Sequence, residues 1–170
     1  MGQAISVVNA ARTKVGVVES GGPDGHSGNI VEFWDWWDKV TGEHDQGASW
    51  CACFVSWAFS VYGLSSLVAA KNPHGFIYCP DGVNFFKKKN QWHDAKDAVA
   101  GDVVFYDWEG KGLSDHVGIV ISNHGQYLVT VEGNTSAEHA SGSQQNGGGV
   151  YLRNRVINST ILGVGRPAYK

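Results

Sequence analysis

The segment Trp50-Cys51-Ala52-Cys53-Phe54-Val55-Ser56-Trp57 puts a cysteine where a polar, glycine-containing loop over 42–49 gives way to a helical pattern. Positions 51, 54, 55, 58, 59 and 62 are Cys, Phe, Val, Ala, Phe and Tyr, the spacing of one helix face. Cys51 then falls in the first turn, where unpaired backbone N–H groups and the positive end of the helix dipole favour a thiolate over a thiol. A cysteine placed this way has a pKa of roughly 3.5–7.5, against about 8.5 for a free thiol. The same position also suits a small buried residue, so the chemistry turns on whether a base can reach it.

The candidate base is His116, in Ser114-Asp115-His116-Val117-Gly118-Ile119-Val120-Ile121, whose apolar run reads as a strand. Ser122-Asn123-His124-Gly125 and a second strand-like run, Gln126-Tyr127-Leu128-Val129-Thr130-Val131-Glu132, complete a hairpin pattern. With Asn123, His124 and Gly125 as a three-residue loop, Ser122 pairs with Gln126. Counting back along both arms then sets His116 directly opposite Glu132, close enough for the carboxylate to fix the imidazole's orientation and tautomer. Asn134, two residues further, shares that face if the strand continues, whereas a one-residue slip turns Glu132 to the other face.

Four segments in order resemble the CHAP domain, the cysteine, histidine-dependent amidohydrolases and peptidases related to the NlpC/P60 enzymes. They are Trp50-Cys51-Ala52 with Phe54-Val55-Ser56-Trp57, Gly101-Asp102-Val103-Val104-Phe105-Tyr106, Asp115-His116-Val117-Gly118-Ile119-Val120, and Glu132-Gly133-Asn134-Thr135-Ser136. The resemblance extends over nearly the whole chain. The loop from Gly21 to Asn29 and the segment Ser143-Gln144-Gln145-Asn146-Gly147-Gly148-Gly149-Val150-Tyr151 look most like members from actinobacteria and their phages.

The resemblance implies a papain-like α+β fold, with a helix carrying the thiolate and an antiparallel sheet carrying the histidine. It implies that Cys51 is the nucleophile, that His116 is the general base and then acid, and that Glu132 orients His116. Asn134 matches the polar residue closing the Glu-Gly-Asn motif. The implied substrate is bacterial peptidoglycan, cut at an amide bond of its peptide part by a phage endolysin or a bacterial autolysin. Two alternatives are an intracellular amidase acting on a soluble peptide conjugate and a catalytically dead module that binds wall peptides. No cofactor is expected. Some CHAP domains hold calcium through carboxylates before the cysteine and one two residues after it; here that last position is Cys53, a soft ligand unsuited to Ca²⁺, leaving Glu43, Asp45 and Asp24, so no metal is expected either.

Composition fits this reading without producing it. With 170 residues, 42% hydrophobic and 17% charged, the chain supports one core, so a single domain over 1–170 and a monomer are expected. Net charge is −3, and the one basic run, Lys87-Lys88-Lys89, reads as a solvated helix face, so nucleic acid is not an expected partner. Asn9 and Arg12 interrupt the first apolar stretch, so neither a signal peptide nor membrane insertion is read; synthesis in the cytoplasm and action at the cell wall are expected.

These residues need elements to position them. Periodicity predicts helices over 3–15, 30–40, 51–62 and 83–89, and strands over 102–106, 116–121, 127–132, 150–156 and 161–164. Helices first and strands later make an α+β domain, with N-terminal helices packed on a C-terminal antiparallel sheet. The Gly-, Ser-, Asn- and Gln-rich stretch 133–149 reads as a mobile lip beside the site. Trp50 and Trp108 neighbour the catalytic segments and are candidates for substrate binding; Trp34, Trp37 and Trp57 have helical spacing and read as core. His26, His44, His74, His93 and His139 lack metal-ligand spacing, and with three cysteines a Cys53–Cys79 disulfide is possible, three free thiols being the expected state.

Overall fold

The structure, a computed structural model, describes residues 2–22, 28–138 and 142–170; Asp24, His26 and His139 lie outside them. Helices α1 (Gln3–Arg12), α2 (Glu32–Thr41), α3 (Cys51–Ser60) and α4 (Cys79–Lys88) come first. Strands β1 (Trp92–His93), β2 (Val103–Tyr106), β3 (His116–Asn123), β4 (Tyr127–Thr135), β5 (Gly149–Val156) and β6 (Ile161–Gly165) complete the chain. They form one antiparallel sheet in the order β1-β6-β2-β3-β4-β5, the expected α+β arrangement.

Helix α3 is the centre of the packing. It touches α1, α2, β3 and β4, and Cys51, Ala52, Cys53, Phe54, Val55, Ser56, Ala58 and Phe59 are all buried. A helix enclosed on every side has no polar face to show, which is why its periodicity in the sequence is only partial. Phe33, Trp34 and Trp37 of α2 and Val117, Ile119 and Val131 of the sheet complete this core, with Trp57 packed at its margin. Two helices end where glycine permits a left-handed turn, α2 at Gly42 (φ 79°) and the turn after α3 at Gly63 (φ 67°). Helix α4 begins four residues before the apolar periodicity does, because Pro80 at the helix start already has a helical φ and lacks only an N–H that would be unpaired there.

The β3–β4 hairpin differs from the sequence count. His124 and Tyr127 close a tighter turn, with the His124 N–H donating to the Tyr127 carbonyl and Gly125 at φ 81°. Ser122 pairs with Val129 rather than Gln126, and a bulge at Ile121 restores Val120 to Thr130 and Ile119 to Val131. Continuing that register places Gly118 opposite Glu132, so Glu132 lies diagonal to His116 instead of facing it. The total slip is even, so both residues stay on one face. Gly118 makes the diagonal contact possible: a Cβ there would lie 2.5 Å from Glu132 Cγ.

Strand β4 runs on to Thr135, so the first residues of the expected lip are buried sheet. The chain beyond the strand is tied back to it: the Thr135 hydroxyl donates to the Gln144 carbonyl (3.0 Å) and the Ser136 hydroxyl to the Ser143 carbonyl (2.8 Å). Gly133 sets how near α3 approaches this strand, since a Cβ there would sit 2.6 Å from Phe54 Cβ and 2.8 Å from the Trp50 ring.

Candidate active site

Cys51 is the first residue of α3, and no side chain caps that helix start, so its first-turn N–H groups stay available. Its Sγ lies 3.7 Å from Sγ of Cys79, itself the first residue of α4, so two helix starts meet at one pair of sulfurs. Hydrogen bonding from Cys79, together with the nearby His116 imidazole and the Ala52 N–H, outweighs burial and holds Cys51 well below the usual thiol range. Cys79 is pushed up by sharing that hydrogen bond and by burial, and Cys53 by burial and by Asp38 and Asp45. All three cysteines are free thiols. Cys53 donates to the Phe33 carbonyl (3.2 Å).

His116 begins β3, opposite Tyr106 of β2, and is completely buried. Its Nε2 is 2.9 Å from Glu132 Oε2, while its Nδ1 is buried without a hydrogen-bond partner. Nδ1 is therefore the nitrogen left to deal with Cys51. Burial opposes charge on the ring, but the neighbouring Cys51 sulfur and the hydrogen-bonded Glu132 carboxylate overcome it and raise the His116 pKa to about 9. Both shifts run in the direction that favours a thiolate beside an imidazolium, the form a nucleophilic cysteine needs.

Glu132 is the most heavily bonded side chain of the site. Its Oε1 accepts from the Tyr106 hydroxyl (2.9 Å), the Thr130 hydroxyl (2.6 Å) and Arg155 Nε (2.8 Å). Its Oε2 accepts from His116 and from Arg155 Nη2. Burial alone would protonate it, but hydrogen bonds from Arg155 and His116 and their charges hold it far below the ordinary carboxylate range. Arg155 also donates to Gln144 Oε1 (2.7 Å), which links the loop after β4 to the site.

Four of these groups escaped the sequence reading. Arg155 had a visible signal, since Arg153 and Arg155 alternate on β5 with the exposed Leu152 and Val156, which turns the basic side of the strand inward. Tyr106 and Thr130 read only as strand residues. Cys79 had no signal short of the fold.

Other expectations fare differently. Asn134 takes a left-handed conformation (φ 56°), donates to Asn146 Oδ1 (3.0 Å) and accepts from the Gly148 N–H (3.4 Å), so its amide is directed into the following loop. Trp50 is completely buried, with Nε1 donating to Glu19 Oε2 (2.7 Å); a core residue with no exposed surface cannot line a groove, and its place as a substrate contact is corrected. Trp108 is half-buried and stacks on Tyr106 at 5.0 Å, with the Arg155 guanidinium 4.9 Å from its ring centroid. At the family's calcium position Glu43 Oε2 accepts from Trp37 Nε1 (2.7 Å), Asp45 Oδ2 is buried without a hydrogen-bond partner, and Cys53, a soft ligand, is engaged by Phe33. Among the described residues, no group of three or more His, Cys, Asp or Glu is placed to hold a metal.

The structure of Ly7917 resembles this fold with a TM-score of 0.50 at 18% identity, over 96% of this chain and 62% of that one. The structure of the resuscitation promoting factor interacting protein RipA, mutated at E444, aligns at a TM-score of 0.49 and 19% identity, over 97% of this chain and 62% of that one. The chain thus spans less than two thirds of either. No curated protein matches the sequence. The family model of the CHAP domain matches residues 43–134, more than half of the chain and the stretch that holds Cys51, His116 and Glu132. The chain therefore belongs to the CHAP domain family, enzymes of the cysteine peptidase and amidase class.

Proposed function

We propose that this domain hydrolyses an amide bond in the peptide part of bacterial peptidoglycan, with Cys51 as nucleophile, His116 as base and acid, and Glu132 as the residue that orients His116. One observation carries the assignment of roles: His116 is locked through Nε2 to a fully bonded Glu132, which leaves the unpartnered Nδ1 for Cys51, the neighbouring group at an uncapped helix start. Glu132 supports this better than Asn134, whose amide is engaged by Asn146 and Gly148.

The thiolate of Cys51 attacks the substrate carbonyl, and the developing oxyanion meets backbone N–H groups at the start of α3, that of Cys51 among them. The His116 imidazolium gives its proton to the leaving amine. The neutral ring then takes a proton from water, whose oxygen attacks the thioester and frees Cys51. Trp108, beside Arg155 and Tyr106, is the aromatic surface available to a bound peptide, and Asn134 holds the loop that borders it. The role in the cell is that of a phage lysis enzyme or an autolysin.

The test is mass spectrometry of fragments released from purified actinobacterial peptidoglycan. Expected are fragments with new amine and carboxyl ends at one type of amide bond, absent with Cys51→Ala. Intact wall, alongside rapid cleavage of soluble peptide conjugates, would replace the wall by a soluble substrate. Wall binding without release of any fragment would make the domain a binding module.

A further inference from the structure

Cys79 has no step in the chemistry assigned to Cys51, yet its sulfur is 3.7 Å from that nucleophile and equally buried. The alternative partner, Cys53, is only two residues from Cys51 along α3, but its thiol is engaged by the Phe33 carbonyl. Each sulfur of the close pair hangs from the first residue of a helix. A disulfide bond is about 2.05 Å long, so the sulfurs need to approach by roughly 1.7 Å, a change within reach of side-chain rotation at two helix starts.

We propose that Cys79 is a resolving thiol, so that oxidation of Cys51 by a peroxide ends in a Cys51–Cys79 disulfide that switches the hydrolase off and that a thiol reductant reopens. The Cys51 thiolate attacks one peroxide oxygen, the O–O bond breaks, and Cys51 becomes a sulfenic acid while the second oxygen leaves as water after taking a proton. The Cys79 sulfur then attacks the Cys51 sulfur; the S–S bond forms, the S–O bond breaks, and the hydroxide leaves as water with the Cys79 proton. Two thiols are oxidised and one peroxide is reduced to two waters. In the disulfide Cys51 has no thiolate with which to attack a carbonyl, and the bond intercepts Cys51 before sulfinic acid, the irreversible stage, is reached. This inference rests on reading Cys51 as the nucleophile of a wall hydrolase.

The experiment treats the reduced protein with hydrogen peroxide, quenches in acid, and pairs non-reducing peptide mapping with wall lysis before and after dithiothreitol. The expected map shows Cys51 joined to Cys79, with lysis down about tenfold or more and nearly all of it recovered on reduction. In Cys79→Ser, Cys51 should appear as sulfinic and sulfonic acid and lysis should not return. Linkage to Cys53, or overoxidised Cys51 with Cys79 still reduced in the wild type, overturns the proposal, and so does full recovery in Cys79→Ser. If that variant does not fold, the wild-type map alone decides. A Cys51–Cys79 linkage in a protein that never lysed wall would leave the thiol pair standing and remove the wall reading; lysis by the reduced protein without the linkage would do the reverse.

Discussion

The two halves of the site are built in opposite ways. On the sheet, Glu132 accepts hydrogen bonds from His116, Tyr106, Thr130 and Arg155, and every element that contributes, β2, β3, β4 and β5, is a paired strand. On the helix side, Cys51 has an uncapped helix start, one weak sulfur contact and an imidazole nitrogen without a hydrogen bond. The sheet half is fixed so that the ring cannot rotate, and the helix half is left under-bonded, as the proposed chemistry requires of atoms that change partners. Damage to the first half should show in orientation, proton affinity and stability together, and damage to the second in chemistry alone.

The largest effect is expected from Cys51→Ala, which removes the proposed nucleophile and little else. Hydrolysis of purified wall should fall on the order of 10⁴–10⁶-fold, while circular dichroism and the thermal midpoint stay close to wild type. A Cys51→Ala variant that still hydrolyses at more than a hundredth of the wild-type rate, an arbitrary but generous limit of about 10² against the expected loss, would move the nucleophile elsewhere.

Glu132→Gln attacks the other half and should differ in kind. The loss of the orienting charge is expected to slow hydrolysis about 10²–10⁴-fold. Arg155 is meanwhile left buried with a neutral partner, and breaking a buried ion pair from one side costs about 3–5 kcal/mol. Denaturant unfolding should therefore record a loss that Cys51→Ala does not show. Adding Arg155→Met should return much of the stability without returning activity, since the unpaired charge is gone while His116 remains unheld. Equal stability of Glu132→Gln and wild type would mean that the carboxylate network is not what fixes the sheet half.

Part of each half was legible in the sequence and part was not. Cys51, His116 and Glu132 stand out because a thiol at a helix start and a His and Glu on facing arms are patterns that spacing preserves. The diagonal placement of His116 and Glu132 was not legible, because one bulged residue at Ile121 and a tighter turn at Gly125 change the register by an even number and leave the alternation of apolar residues intact. Cys79 and Arg155 come from elements distant in the chain, and only the assembled packing of α4 and β5 brings them to the site. Pro80 and Gly82 further disguised the start of α4 by resembling a loop. Strand β1, two residues long, has no periodicity to read.

The pH dependence distinguishes the two halves by a smaller effect. Cys51 loses its proton below the usual thiol range and His116 keeps its proton up to about 9, so hydrolysis should plateau between these and fall about tenfold per pH unit above 9. Alkylation of Cys51 needs only the thiolate and should show no alkaline fall. The stability signs are opposite for the two sheet groups. His116, raised from 6.5, contributes fully below about 6.5 and loses its contribution as pH rises through about 9. Glu132, depressed from 4.5, contributes above that value and loses its part only in stronger acid. Thermal midpoints measured across this range should fall on the alkaline side near the hydrolysis limb, and an alkaline limb that Glu132→Gln fails to shift downward would detach His116 from Glu132.

Cys53 offers the mildest test, because it belongs to the same helix turn as Cys51 and to neither half of the site. A helix turns about 100° per residue, so Cys53 faces about 200° away from Cys51, and its thiol meets the Phe33 carbonyl in the core. Burial and the acidic Asp38 and Asp45 push its pKa up, and sharing a proton with Cys51 does the same for Cys79. A thiol-alkylating reagent at mildly acidic pH should therefore label Cys51 first, and peptide mapping at partial modification reads this directly. Cys53→Ala should keep most of the hydrolysis and lose about 1 kcal/mol of stability, the cost of a small cavity and one weak hydrogen bond. First labelling at Cys53, or loss of hydrolysis in Cys53→Ala with stability unchanged, would tie the inner face of α3 to the chemistry and erase the separation between a thiol that reacts and one that packs.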